Sequence, residues 1–144
     1  LELAHARGAD RVVRMDRLDP AASFDELRSL TPDGFDVVID ATGAPSVLAQ
    51  TISLTRTGGT VFVYGMTPEQ TVWPVPPYEI FRRELTIKGS FAQQFSFDRA
   101  VAALRGGRVD TTALITDRFG LDEYGSALAA VADSHSVKAV IVPS

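Results

Sequence analysis

Apolar and polar positions along the chain change period from segment to segment, which separates helices from strands. Leu1, Leu3, Ala4 and Ala6, followed by Gly8, read as the last turns of an amphipathic helix stopped by glycine. Residues 11–15 (RVVRM) are a short β-branched run and read as a strand. Ser23 is the expected N-cap of a helix over residues 24–30, with Glu26 at the capping-box position and Thr31-Pro32-Asp33-Gly34 ending it. Residues 36–40 are almost continuously apolar between two acids, the pattern of a strand covered on both faces. Ala41-Thr42-Gly43-Ala44-Pro45 then turns the chain into a helix running to Leu54. Gly58-Gly59 interrupts, and residues 60–65 read as a second buried strand. Two strands joined by such a helix form a βαβ unit, whose crossover is right-handed. A proline-rich loop (Pro68, Pro74, Pro76, Pro77) leads to a short helix over 79–83 and a strand over 85–90. A helix over 97–104 is closed by Gly106-Gly107. A further helix starts at Asp122 as N-cap and runs to Ala132, and a last strand spans 137–142. The fold class is α/β, with an open parallel sheet.

Composition narrows the function by exclusion. The chain has 144 residues, 45% of them apolar, enough for an ordinary domain with a core and too many for a disordered segment. Its 14 Lys and Arg against 18 Asp and Glu give a net charge of −4, so the basic footprint of a nucleic-acid binder is missing. With no cysteine there is no disulfide framework and no thiolate metal site. No apolar run reaches the roughly 18–20 residues that span a bilayer, and the chain opens on a helix rather than a secretory leader. A soluble cytoplasmic domain, with no membrane or nucleic-acid partner, is the expectation.

Most catalytic signatures are absent. The sequence holds no Gly-x-Ser-x-Gly elbow, no phosphate loop ending in Gly-Lys-Ser/Thr and no His-Glu-x-x-His pair. His5 and His135 read as solvated surface residues, and Asp16 with Asp19 as turn chemistry. What remains is a cleft. In open parallel sheets ligands bind outside the carboxyl ends of the strands. The segments there are Ala41-Thr42-Gly43, Tyr64-Gly65-Met66 and Gly89-Ser90-Phe91. A single glycine at a strand end is ordinary chain punctuation. Three successive strands ending on small residues favour a nucleotide or dinucleotide cleft, where a ligand approaches backbone closely.

The ordered segments 1–10, 36–43, 58–65, 83–91, 107–110 and 114–119 resemble the medium-chain dehydrogenase/reductase family, in family order and spacing across essentially the whole chain. Residues 84–91 followed by Ile115-Thr116 are most similar to the zinc-dependent alcohol, polyol and threonine dehydrogenases. The resemblance implies a truncated Rossmann-like, doubly wound sheet lacking its first two strands. Residues 1–91 would be a partial NAD(P)-binding domain, and 92–144 a segment returning to the catalytic domain. It implies that Ala41, Thr42 and Gly43 line the cofactor cleft and that Tyr64, Gly65 and Met66 pack beside the nicotinamide. Ser90 and Phe91, with Ala92 beside them, would offer backbone hydrogen bonds to the carboxamide. Lys138, on the terminal strand, would reach the pyrophosphate, a role open to an ammonium as it is open to a plain solvent-facing lysine. The family places a dimer contact near the strand over 85–90, and the apolar approach over 73–81 suits a homo-oligomer interface.

The departures matter as much. The family's diphosphate turn, the residue that reads the adenosine ribose, and the catalytic zinc ligands all belong upstream of Leu1. The resemblance therefore implies NAD or NADP and zinc in a parent enzyme acting on a small alcohol or polyol, with no catalytic or metal residue in this chain. An inactive fragment is expected. A zinc-independent quinone or enoyl reductase fragment and a non-catalytic α/β binding module are the alternatives. The family strand order also separates residues 11–15 from 36–40 by two strands. Those two segments would then pair directly, or a partner would complete the sheet.

Overall fold

The computed structural model describes residues 1–15, 20–91, 95–133 and 136–143. The chain divides into two units, Leu1–Gln94 and Phe95–Ser144.

The first unit is built on a three-stranded parallel sheet of β1 (Phe35–Asp40), β2 (Thr55–Val63) and β3 (Thr86–Gly89), in that order. Helices α1 (Glu2–Ala6) and α2 (Pro20–Leu30) precede it. The link from β1 to β2 is two short turns of helix, α3 (Pro45–Leu48) and α4 (Thr51–Leu54). One continuous helix was expected there. Thr51 breaks it, because its hydroxyl donates to the Leu48 carbonyl at 2.7 Å, and the Thr55 hydroxyl does the same to Thr51 at 2.7 Å. Such back-bonding by threonine competes with the helical ladder. α4 packs on both β1 and β2, and Leu48, Leu54 and Val61 are buried in that layer with Phe24 and Leu85.

Three expectations are corrected. Residues 11–15 form no strand; the Arg14 carbonyl instead accepts a hydrogen bond from the Ser23 hydroxyl at 3.0 Å. Direct pairing of 11–15 with 36–40 is therefore not realised, and among the described residues only β2 pairs with β1. Ser23 lies inside α2, which starts three residues earlier at Pro20, so it is not the cap. Gly58-Gly59 does not precede β2 but lies within it. Between Phe35↔Thr55 and Val37↔Thr60, two steps along β1 face five along β2, and the glycines absorb the excess. Gly58 takes φ +71°, while a Cβ at Gly59 would lie 2.6 Å from the Thr55 methyl.

A helix α5 (Pro77–Arg82) leads into β3. It ends on Glu84 at φ +51°, with the Leu85 N–H returning to the Ile80 carbonyl at 3.0 Å. This left-handed position after a helix favours glycine. Glu84→Gly is expected to stabilise the chain by about 0.5 kcal/mol, read as a rise in denaturation midpoint at unchanged slope. A lower midpoint would show that the Glu84 side chain contributes more than its backbone costs.

In the second unit α6 (Phe97–Arg105) is followed by β4 (Asp117–Phe119), α7 (Tyr124–Ala132) and β5 (Ala139–Ile141). β4 and β5 are parallel, and α7 packs on both through buried Ala127. Asp122 is not the cap of α7. It sits in a 3-10 turn over Leu121–Glu123, where the Glu123 carboxylate accepts the Gly120 N–H at 2.9 Å. β5 is shorter than expected because the Val137 N–H is drawn to the Thr116 hydroxyl at 3.1 Å. That hydroxyl also donates to Asp117 at 2.6 Å. Hydrogen bonding from Thr116, then from Ser136, holds the Asp117 carboxyl below its ordinary 3.8. A lowered carboxyl contributes stability above its unfolded value and loses it as pH falls through the folded one. Below pH 3.8 the melting temperature of Asp117→Asn should fall less steeply than that of the wild type; equal slopes would remove Asp117 from the acid response.

Candidate cofactor cleft

The carboxyl ends of β1, β2 and β3 lie side by side because the register carries Asp40 next to Val63 and Val63 next to Gly89. Beyond them the chain leaves the sheet in three adjacent loops. The β1 loop is organised by Asp40, which is 1% exposed. Its Oδ1 accepts the Thr42 N–H at 2.9 Å and the Thr42 hydroxyl at 2.6 Å. The Thr42 hydroxyl in turn accepts the Ala44 N–H at 3.1 Å, which starts α3. An aspartate two residues before a threonine closes the turn on itself.

The β2 loop is tied to the same residue. The Asp40 carbonyl accepts N–H groups from Tyr64 at 2.9 Å and from Gly65 at 2.6 Å. The two loops then touch backbone to backbone. A Cβ at Gly43 (φ +69°) would lie 2.2 Å from the Met66 carbonyl oxygen. One at Gly65 would lie 2.2 Å from the Gly43 nitrogen. These two glycines let the loops meet backbone to backbone.

Gly89 is different. A Cβ there meets nothing within 4 Å. It borders an open cleft of ≈ 690 Å³ lined by Tyr64, Gly65, Met66, Ser90 and Phe91, with Val63 and Thr67. None of these carries a charge, so the cleft suits a flat, weakly polar group rather than a phosphate. Tyr64 stacks on Phe62 with ring centroids 6.5 Å apart, while Met66 and Phe91 are 89% and 81% exposed. The Ser90 N–H is engaged by the Val63 carbonyl at 3.1 Å, continuing the ladder past β3. Among the described residues the Ser90 carbonyl and the Phe91 N–H are engaged by nothing in the chain.

Of the expected site residues, the fold brings Tyr64, Gly65, Met66, Ser90 and Phe91 onto one cleft. Ala41, Thr42 and Gly43 form the neighbouring loop, Ala41 and Thr42 exposed and Gly43 buried. Lys138 is in the second unit, exposed, and precedes β5 rather than lying on it; its carbonyl accepts the Thr116 N–H at 3.1 Å. His5 is exposed on α1; Asp16, Asp19, Ala92 and His135 lie outside the described residues. Asp40 was read only as a strand end, although the Asp-x-Thr spacing signals the turn it makes. Among the described residues no group of three His, Cys, Asp or Glu could hold a metal ion, and no helix is long and apolar enough to cross a membrane.

Residues 1–106 match the family model described as zinc-binding dehydrogenase. D-arabinitol dehydrogenase 1 of Uromyces fabae is 38% identical over 94% of this chain and 39% of its own length. An L-threonine 3-dehydrogenase of Burkholderia vietnamiensis is 31% identical over 98% of this chain and 40% of its own length. The NADP-bound crystal structure of a protein assigned as a zinc-binding dehydrogenase from Sinorhizobium meliloti superposes with a TM-score of 0.85 at 31% identity. It is covered over 99% of this chain and 42% of that one. The chain thus spans about two fifths of the length of the relatives it matches.

Proposed function

The chain belongs to the zinc-binding dehydrogenase family, and we propose that it is the part of an NAD(P)-dependent oxidoreductase that receives the nicotinamide end of the cofactor. The observation that carries this reading is the uncharged cleft beyond β2 and β3, bordered by Gly89 and by two backbone groups that no other described residue engages. Bound there, a nicotinamide supplies hydride chemistry that no side chain of this chain can supply. The chain's own residues position it. Tyr64 and Met66 offer apolar surface to the ring, and the Ser90 carbonyl and Phe91 N–H match the donor and acceptor of a carboxamide. Ala41, Thr42 and Gly43, in the neighbouring β1 loop, are assigned to the same cofactor.

The names of the relatives favour a small alcohol or polyol as substrate over a quinone or enoyl compound. Among the described residues no group fits zinc, and the family's metal is assigned to another part of a longer polypeptide. The segment over 92–144 is assigned to the return toward that catalytic part. Tyr78 and Phe81, exposed with ring centroids 6.4 Å apart, are assigned to a contact between copies of the enzyme.

The test is a chemical-shift titration of the 144-residue chain with NAD and NADP. Weak binding is expected, on the order of millimolar, because only part of the cofactor is held. Perturbations should centre on residues 64–67 and 89–91, and Gly89→Leu should abolish them while leaving the fold intact. Perturbations centred elsewhere, or none, would sink the reading. No alcohol or polyol turnover is expected from the chain alone, and measurable turnover would overturn the assignment of catalysis to another segment.

A further inference from the structure

The end of the sheet opposite the cofactor cleft carries a second pocket. It measures ≈ 300 Å³ and lies at the amino ends of β1 and β2, where Phe35 and Thr55 begin their strands. Three guanidiniums line it, Arg28 from α2, Arg82 at the end of α5 and Arg83 just past it, with the carboxylates of Asp33 and Glu79. Two of the three are pinned by the fold. Arg28 donates to Asp25 at 2.7 Å, Gln50 at 2.9 Å and Ser53 at 3.2 Å, and Arg83 to the Ile52 and Thr55 carbonyls. Arg82 is not pinned. Its Nη2 lies 3.4 Å from each oxygen of Glu79, and among the described residues its Nε and Nη1 have no partner. Arg83 lies 3.7 Å from the same carboxylate. Charge-assisted N–H···O bonds close to about 2.7–2.9 Å, so Glu79 sits between two guanidiniums without closing on either. The hydroxyl of Thr31, another residue of the wall, is buried and makes no hydrogen bond, which costs about 1–3 kcal/mol when nothing answers it.

We propose that this pocket binds a compact oxyanion, the phosphate or carboxylate group of a small molecule, chiefly on Arg82, and that the oxyanion displaces Glu79. A guanidinium presents five N–H donors in a planar fork that matches such a group. Arg82 has most of its donors open, and the pinned heads of Arg28 and Arg83 add positive charge without further ordering. Glu79 fills the occupant's part in the chain alone: it is a loosely held carboxylate on a side chain 33% exposed, which a better-placed oxyanion replaces. The volume is at the small end for ligand pockets, with room for such a group on a short body but not for a dinucleotide. A bound oxyanion joins α2 to α5 across the amino ends of β1 and β2.

The probe is inorganic phosphate, titrated into the 144-residue chain and followed by chemical shifts, with malonate in a second arm. Ionic strength is held constant, so that general screening does not change along the titration. Perturbations should centre on residues 28–34, 53–55 and 79–83, with a dissociation constant on the order of millimolar. A response to phosphate alone, to malonate alone or to both names the group recognised, and each supports the site. Arg82→Gln should weaken binding about tenfold, while the melting temperature without anion stays where it was, since this side chain is 55% exposed. Glu79→Gln carries the opposite sign. It removes the internal competitor, so the same titration should tighten about fivefold, a gain that misfolding does not produce. Three outcomes overturn the proposal: no response to either anion, shifts spread over arginines elsewhere in the chain, or an affinity that neither substitution moves. None of them bears on the nicotinamide cleft, which is read on residues 64–67 and 89–91 at the other end of the strands.

Discussion

Gly65→Ala is expected to unfold or severely loosen the sheet, at a cost of about 3 kcal/mol or more. Few single methyl groups cost that much. Here the added carbon has nowhere to go, since its nearest neighbours are the backbone atoms Gly43 N at 2.2 Å, Thr42 N at 2.8 Å and Ala41 C at 2.9 Å. Flexible side chains could yield, but these atoms belong to a loop fixed by the Asp40 carboxylate and by α3. The loops must part by roughly 1 Å to reach ordinary contact, and parting them strains the 2.6 Å bond from Gly65 N–H to the Asp40 carbonyl. Gly43→Ala should be worse. It meets the Met66 carbonyl at 2.2 Å and also demands φ +69° from an alanine. Because both changes wedge the same two loops, the double variant should cost less than the sum of the singles. Urea denaturation of the three variants measures this directly. Strict additivity would show that the loops are not a single interlocked unit, and a mild Gly65→Ala would show that they yield easily. The variants should also lose the nicotinamide response, because the β2 loop forms one wall of the cleft.

The strand ends were legible in sequence because each strand carries β-branched residues and a glycine lies at or just beyond its end, although β1 and β3 are largely exposed rather than covered on both faces. That located Tyr64-Gly65-Met66 and Gly89-Ser90-Phe91 before any coordinates. It could not say why the glycines were there, because a requirement for close approach looks the same whether the neighbour is a ligand or another loop. Residues 11–15 failed for a different reason. A strand exists only when a partner completes its ladder, and a β-branched run cannot report on its partner. The break in the helix after Pro45 hinged on two hydroxyls, Thr51 and Thr55, choosing carbonyls three and four residues back. Periodicity is blind to that choice, since the apolar positions keep their spacing. Asp40 ends an apolar run, and its second role as organiser of two loops depends on a residue 25 positions away, Gly65, reaching its carbonyl. Local pattern gave the elements; the contacts that hold them close over distances it does not sample.

Arg83 shows the same limit at its strongest, and its removal should cost about 2–4 kcal/mol. The side chain is only 16% exposed and spans three elements. Its guanidinium donates to the Ile52 carbonyl in α4 at 3.1 Å and to the Thr55 carbonyl at the start of β2. It also faces Glu79 of α5 at 3.7 Å. Its own carbonyl accepts the Gly58 N–H at 2.8 Å, beside the bulge of β2. The ion pair is the lesser part. A 3.7 Å contact to a partly exposed carboxylate contributes at most about 1 kcal/mol, so Glu79→Gln should be nearly silent. The carbonyls matter more, because Ile52 and Thr55 lie where helix hands over to strand and Thr55 is 1% exposed. Without the guanidinium those acceptors stay buried and lose a donor. Arg83→Lys should recover little of the loss. An ammonium keeps the charge but lacks the planar fork that serves two carbonyls 28 and 31 residues away in sequence. Denaturant midpoints should therefore rank wild type and Glu79→Gln together at the top, with Arg83→Lys and Arg83→Ala together well below. A lysine variant as stable as the wild type would mean that charge, not geometry, holds α5 to the sheet.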